Sequence, residues 1–177
     1  MALIQKIKGH SPDIHPSVWL ADNATLTGNI VIGENSSVWY QAVIRGDVNK
    51  IIIGKGVNIQ DAAIVHGTLG KKDTIIEDGV SIGHRAIIHG CHIKKDVLIG
   101  MGAIVLDDAV LESGCIVAAG AVVTSGSHLE SGYIYAGIPA RKIKEISEGQ
   151  AQMYLQGTAA VYVELSKLYK KEQTSNL

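Results

Sequence analysis

The stretch "VSIGHRAIIHG" at residues 80–90 carries two histidines, His84 and His89, and a third, His66, stands one short segment upstream in "AIVHG". Imidazole is the commonest metal-ligating side chain and also titrates near neutrality. Three of them in so apolar a stretch point to metal ligation or proton transfer, provided that the fold brings them together. Nearby are further groups able to do chemistry: "RGD" at 45–47 and "NIQD" at 58–61. Whether these residues meet depends on the elements that carry them.

Those elements are written in a count of six. Leu20, Leu26, Ile32, Val38 and Ile44 are evenly spaced, and after a three-residue slip the count resumes at Ile53, Ile59 and Val65. A longer insertion precedes Ile76, Ile82 and Ile88, and after the loss of one residue Ile93, Ile99, Val105, Leu111, Val117 and Val123 follow in step. Small residues such as Ala42, Ala63, Ala86, Ala103 and Cys115 recur four places after many of them. A hexapeptide period is the signature of a solenoid in which each unit is a short strand plus a corner. Three units make a triangular coil, so the seventeen positions give nearly six coils of parallel β-helix.

Successive sides of the coil are labelled here A, B and C. Val65 and Ile88 share face A, one coil apart, so His66 and His89 should stack at roughly 4.8 Å, the spacing of neighbouring strands. Arg45 belongs to face A one coil earlier. His84 falls two places after Ile82 on face C, with Asp61 one coil before it. Five residues of extended chain separate His84 from His89 by roughly 16 Å. One chain therefore does not easily close a three-histidine site. A rotationally packed trimer does, because face A of one subunit then meets face C of the next. Three neutral imidazoles with an open fourth position are the catalytic-zinc pattern; cobalt and ferrous iron accept the same ligands. His10, His15, His92 and His128 lie out of this register and read as surface residues.

Past Val123 the count dissolves into "SGSHLESGYIYAGIPARKI", read as a Gly/Pro-rich cap that closes a β-helix domain over 1–143. Residues 144–177 read as a C-terminal helix and tail, packed on the solenoid or on a neighbouring subunit. The helical pattern starts near Ser147, with Gly149 and Gly157 suggesting a broken or late start, and the polar "KKEQTSNL" is expected to fray. Sixteen Lys and Arg against seventeen Asp and Glu leave a net charge of −1, which argues against a nucleic-acid or anionic-membrane binder. No run approaches a membrane span and "MALIQKIKGH" lacks a signal-peptide core. With only Cys91 and Cys115, the expected compartment is the reducing cytoplasm.

Taken together, "RGD", "NIQD", "VHG" and "IGHRAIIHG" resemble the γ-class carbonic anhydrase family of hexapeptide proteins, and the likeness runs from "IHPSVWLADNATLTG" to "VYVELSKLY". The resemblance implies a homotrimer of left-handed β-helices with a metal at each interface, held by His66 and His89 of one subunit and His84 of the next. It also implies that Gln60 orients the metal-bound water or CO2 and that Asn58 holds Gln60. Arg45, Asp47 and Asp61 would form charge-assisted pairs that fix the interface and the site, or that only glue subunits together. Tyr162 matches a tyrosine that the terminal helix brings over the site.

There are departures from the family pattern. Val48 stands where the archetype has a glutamate, "GTLGKKD" is short and basic where it has an acidic loop, and Glu164 replaces an asparagine. The metal ligands are carried over without the proton-transfer carboxylates, Glu164 being the one carboxylate the likeness places nearby. "HGC" and "QGT" are similar to a phenylacetate-pathway branch associated with acyl-CoA thioester hydrolysis. The leading expectation is a zinc-dependent enzyme that hydrates CO2, a small-molecule substrate. The alternatives are an acyl-CoA thioesterase on the same site, a hexapeptide acyltransferase, and a metal-stabilised scaffold without catalysis.

Overall fold

A computed structural model describes residues 1–175 and shows a parallel β-solenoid of about seven coils with one C-terminal helix. The coils wind left-handed. Face A is formed by Leu3–Gln5, Ile64–His66, Ile87–His89, Ile104–Val105 and Val122–Val123, together with the first halves of Thr25–Ile32 and Val43–Ile53. Those two long strands turn a corner, and their second halves belong to face B with Asp13–Ile14, Thr74–Ile76, His92–Ile93, Val110–Leu111 and His128–Leu129. Face C runs through Trp19–Leu20, Ser37–Val38, Asn58–Ile59, Ser81–Ile82, Leu98–Ile99, Ile116–Val117 and Tyr133–Ala136.

Every solenoid strand pairs in parallel with the one a coil away, and the registers match the count of six. Ile44 lies beside Val65, Val65 beside Ile88, and Ile59 beside Ile82. The seventeen periodic aliphatics form the axis, and all but half-buried Leu20 are buried. Each contributes roughly 1.5–3 kcal/mol by leaving water. The small residues at the corners, Ala24, Ala42, Ala63, Ala86, Ala103, Ala109, Cys115 and Ala121, are buried as well, where a larger side chain would find no room. Burial pushes the thiols of Cys91 and Cys115 up to about 12, so neither is a nucleophile near neutral pH.

The solenoid extends beyond the seventeen positions. Ile14 pairs with Ile32 at one end, while Leu129 and Tyr135 continue faces B and C at the other. The segment read as a cap therefore carries another turn of strand. The end is closed by Arg141–Glu145, which runs antiparallel to Tyr133–Ala136.

Ser147 then caps the helix in a reciprocal box with Gln150. A wide turn with i→i+5 bonding over Ala151–Gly157 follows, and the regular helix runs over Thr158–Ser175. The expected interruption thus takes the form of a π-type bulge ending at Gly157. Most of "KKEQTSNL" is helical rather than frayed; its last two residues lie outside the described ones.

The helix lies along face C, returning from the last coils toward the first. Leu155 is buried, Tyr162 meets Trp39 at 5.1 Å between ring centroids, and Tyr169 meets Trp19 and Trp39, each at 5.2 Å. Trp19 donates its indole N–H to Gln173 at 2.8 Å, and Lys170 donates to the carbonyl of Pro16 at 2.7 Å. No helix among the described residues is long and apolar enough to cross a membrane.

Candidate metal centre

Arg45, His66 and His89 rise from consecutive rungs of face A. His66 and His89 are paired in register, with ring centroids 5.3 Å apart. His84 stands on face C at a corner whose next residue, Arg85, has φ of +60°. Within one chain, then, two histidines meet and the third is on another side. Among the described residues, no group of three or more His, Cys, Asp or Glu is placed to hold a metal.

Each histidine is bound by a different carboxylate. His89 faces Asp107 Oδ2 through Nδ1 at 3.0 Å, and His84 faces Asp61 Oδ2 through Nδ1 at 2.7 Å. Both arrangements leave Nε2 free of carboxylate, although the Tyr162 hydroxyl stands 3.5 Å from Nε2 of His84. His66 is set the other way round. An Arg45 amino group lies 3.3 Å from its Nδ1, and its Nε2 is 3.0 Å from Asp47 Oδ1. Arginine only donates, so Nδ1 accepts and Nε2–H is given to Asp47.

Asp47 also accepts from Arg45 at 2.5 Å. Burial would raise the Asp47 carboxyl, but the hydrogen bonds from His66 and Arg45 outweigh it and hold the group below its ordinary value. Asp107 behaves alike: burial pushes it up, and contacts with His89 and Thr68 bring it down. Asp61 is joined to His84 and not to Arg45 within the chain. The bulge bearing Arg45 and Asp47 depends on Gly46, since a Cβ there would lie 2.5 Å from the carbonyl oxygen of Asn29.

Gln60 and Asn58 form a buried chain of amides on face C. Asn58 donates to Ser81 at 2.8 Å, Gln60 donates to Asn58 Oδ1 at 2.9 Å, and the His84 backbone N–H donates to Gln60 Oε1 at 3.2 Å. This network fixes which end of the Gln60 amide faces which way and ties it to the corner that carries His84. Tyr162 is half-buried beside Trp39 and His84, and burial, followed by the charge of Asp61, raises its phenol. Glu164 is exposed and pairs with Lys167 at 2.7 Å.

Asp107 is the residue that sequence reasoning missed. "LDDA" reads as a plain corner, yet the count of six puts Asp107 two places after Val105, one coil beyond Gly90. His92 and His128 stay at the surface as expected, on face B, where they meet Glu77 and Glu112.

Compared with known proteins, the chain is 40% identical over 171 residues to a protein named carbonic anhydrase from Geobacillus kaustophilus, covering 97% of this chain and 93% of that one. It is 45% identical over 154 residues to a probable carbonic anhydrase from Methanocaldococcus jannaschii, covering 87% and 96%. The chain belongs to the γ-class carbonic anhydrase family of hexapeptide-repeat proteins. Gamma carbonic anhydrase 2 of Arabidopsis thaliana, a mitochondrial relative, is 37% identical over 94% of this chain, which spans 61% of that protein. The bacterial transferase hexapeptide (six repeats) model matches residues 90–125. Among solved structures, a putative acetyltransferase from Bacillus cereus superposes with a TM-score of 0.93 at 40% identity, covering 96% of this chain and 98% of that one. A hexapeptide transferase family protein from Anaplasma phagocytophilum gives 0.90, also at 40%, covering 94% and 98%. The γ-class family and the transferase-named structures thus share one scaffold, and their names divide between two chemistries.

Proposed function

We propose that this protein is a metal-dependent hydratase of the γ-carbonic anhydrase type, acting on CO2 as a homotrimer. The observation that carries the reading is the bonding of His84 and His89: a carboxylate takes Nδ1 of each and leaves Nε2 available as a ligand, as in metal sites with an outer carboxylate. His66, stacked on His89, would complete the set once its Nε2–H gives up Asp47, whose second oxygen already has Arg45. A zinc, iron or cobalt ion held by these residues supplies a Lewis acid that lowers the pKa of water to about 7.

The protein's own contributions follow from the bonds described. Gln60, locked by Asn58 and by the His84 backbone, is a rigid polar group next to the ligand corner and suits the orientation of water or CO2. Tyr162 sets its hydroxyl 3.5 Å from Nε2 of His84, whose ring stays partly exposed, and suits a hydrogen bond to a group bound there. Trimer assembly is supported by an outward row on face A, Val43, Ile64, Ile87, Ile104 and Val122, which flanks His66 and His89 with apolar surface. Glu164, exposed on the helix, is the carboxylate available to pass protons to solvent.

The test is metal content, oligomeric state and CO2 hydration measured on one preparation. Stoichiometric metal and a weak rate that rises with imidazole buffer are expected, since Val48 cannot accept a proton and the basic loop offers only Asp73, well beyond His66; Glu164→Gln should steepen that buffer dependence. His66→Ala and His84→Ala should each be inactive alone, and refolding the two together should restore part of the activity through interfaces that combine intact ligands. Confirmed mixed trimers without recovery would refute a shared site. The names of the two solved relatives favour a second reading, acyl transfer from an acyl-CoA. Metal-independent acyl transfer without CO2 turnover would establish it, and thioester hydrolysis that requires the metal would make the substrate an acyl thioester instead.

A further inference from the structure

Asp107 occupies a place built for it. Gly90, the residue after His89, has φ of +59°, and a Cβ there would fall 2.1 Å from Asp107 Oδ1. The glycine therefore serves two needs: a left-handed corner and space for a carboxylate lying over the backbone. Asp107 Oδ2 reaches Nδ1 of His89 at 3.0 Å, while Oδ1 is buried without a hydrogen-bond partner. Burial works against a charged carboxylate at this place, and the contact with His89 is the largest of those that offset it. Its neighbour Asp108 has a different partner, the ammonium of Lys71 at 3.0 Å.

We propose that Asp107 is a positioning residue that fixes His89 as the Nδ1–H tautomer with Nε2 directed outward. A carboxylate can only accept, so while Asp107 Oδ2 is in place the proton of neutral His89 sits on Nδ1. Gly90 keeps the carboxylate in that place. The contrast with His66 is built into the same stack: its proton sits on Nε2, so His89 is the one of the pair ready to bind a metal before any bond is exchanged.

The inference rests on the metal-site reading for its consequence and not for its test. In metal-free protein with 15N-labelled histidine, the His89 ring should show a protonated Nδ1 and a bare Nε2. Asp107→Asn, whose amide can donate as well as accept, should lose that preference, and zinc affinity measured against a competing chelator should fall about 10–100-fold. Gly90→Ala, which displaces the same carboxylate, should shift the tautomer in the same direction. Asp108→Asn should shift neither tautomer nor affinity. A wild-type His89 with the proton on Nε2 would overturn the proposal. So would an Asp107→Asn protein, folded by circular dichroism, with unchanged tautomer and affinity. If wild-type protein binds no zinc while the tautomer is as stated, the metal-site reading fails and the assignment of Asp107 stands.

Discussion

Face A and face B rest on the same kind of inward aliphatic row and differ in what they turn outward. On face B the outward and corner positions hold His92 with Glu77, and Lys94 and His128 both on Glu112, all within 2.8 Å. On face A the corresponding row is Val43, Ile64, Ile87, Ile104 and Val122, with Ile64 41% exposed. Face B also turns aliphatics outward, Val31, Ile52, Ile75 and Val110, but intersperses them with His92 and His128, each held by a carboxylate of the same face. Face A shows an unbroken row of β-branched aliphatics around two stacked histidines, the surface on which the proposed trimer would close. Face C, the third side, is covered by the chain's own helix. One backbone plan thus yields a side of self-paired polar groups among aliphatics, a side covered by its own helix, and a side on which the proposed trimer would close, according to residues that never enter the core.

The strongest way to break the contrast is to charge face A. Ile87→Lys should prevent the proposed trimer from forming, because an unpaired charge buried in its interface would cost roughly 3–5 kcal/mol. Light scattering behind a sizing column should then find monomer. Val110→Lys, one face round, should leave the assembly intact, and equal effects of the two would remove the distinction.

A smaller but still large effect is expected at the bulge that aims Arg45 and Asp47. Gly46→Ala brings a Cβ against the Asn29 carbonyl and should cost about 3 kcal/mol. Gly56→Ala meets open space and has only its positive φ, +62°, to lose, about 1–2 kcal/mol. Urea midpoints should rank the two; a reversed order would show that the bulge is soft.

The acid response should be modest and should come partly from face A. Asp47 and Asp107 are depressed in the folded chain. Their contribution is complete above the unfolded carboxylate value of about 3.9 and is lost as pH falls through the lower folded values. Asp47→Asn should therefore flatten the decline of melting temperature below about pH 4, and an unchanged slope would exclude that carboxylate as a source. The smallest effect belongs to face B: Lys94→Met should change stability by less than about 1 kcal/mol, because such partly exposed pairs are screened by water and salt.

The axis was legible in the sequence because a solenoid returns the same phase to the interior at every turn. Val65 and Ile88 fixed which histidines would stack, and Ile82 fixed His84 on another side, with no side-chain detail required. Tyr135 and Leu129 escaped the count because Gly-rich corners surround them and an aromatic ends the aliphatic run. The orientation of His66 was not legible at all. It depends on whether Asp47 or Asp107 reaches a given ring nitrogen, a matter of side-chain rotamers that spacing does not encode. Asp107 was hidden for the same reason, since a corner aspartate and a histidine-holding aspartate look alike in one dimension.

The helix that lies along face C has a consequence for how the chain is made. Trp19 and Trp39 are covered by Tyr162 and Tyr169, which follow them by more than a hundred residues. During synthesis at about 5–20 residues per second, the first coils wait on the order of ten seconds with both indoles uncovered. A solenoid alone could add coils one at a time, each resting on the last. Here the final segment returns to the opening coils, so the amino-terminal end gains its cover only when the helix has left the ribosome.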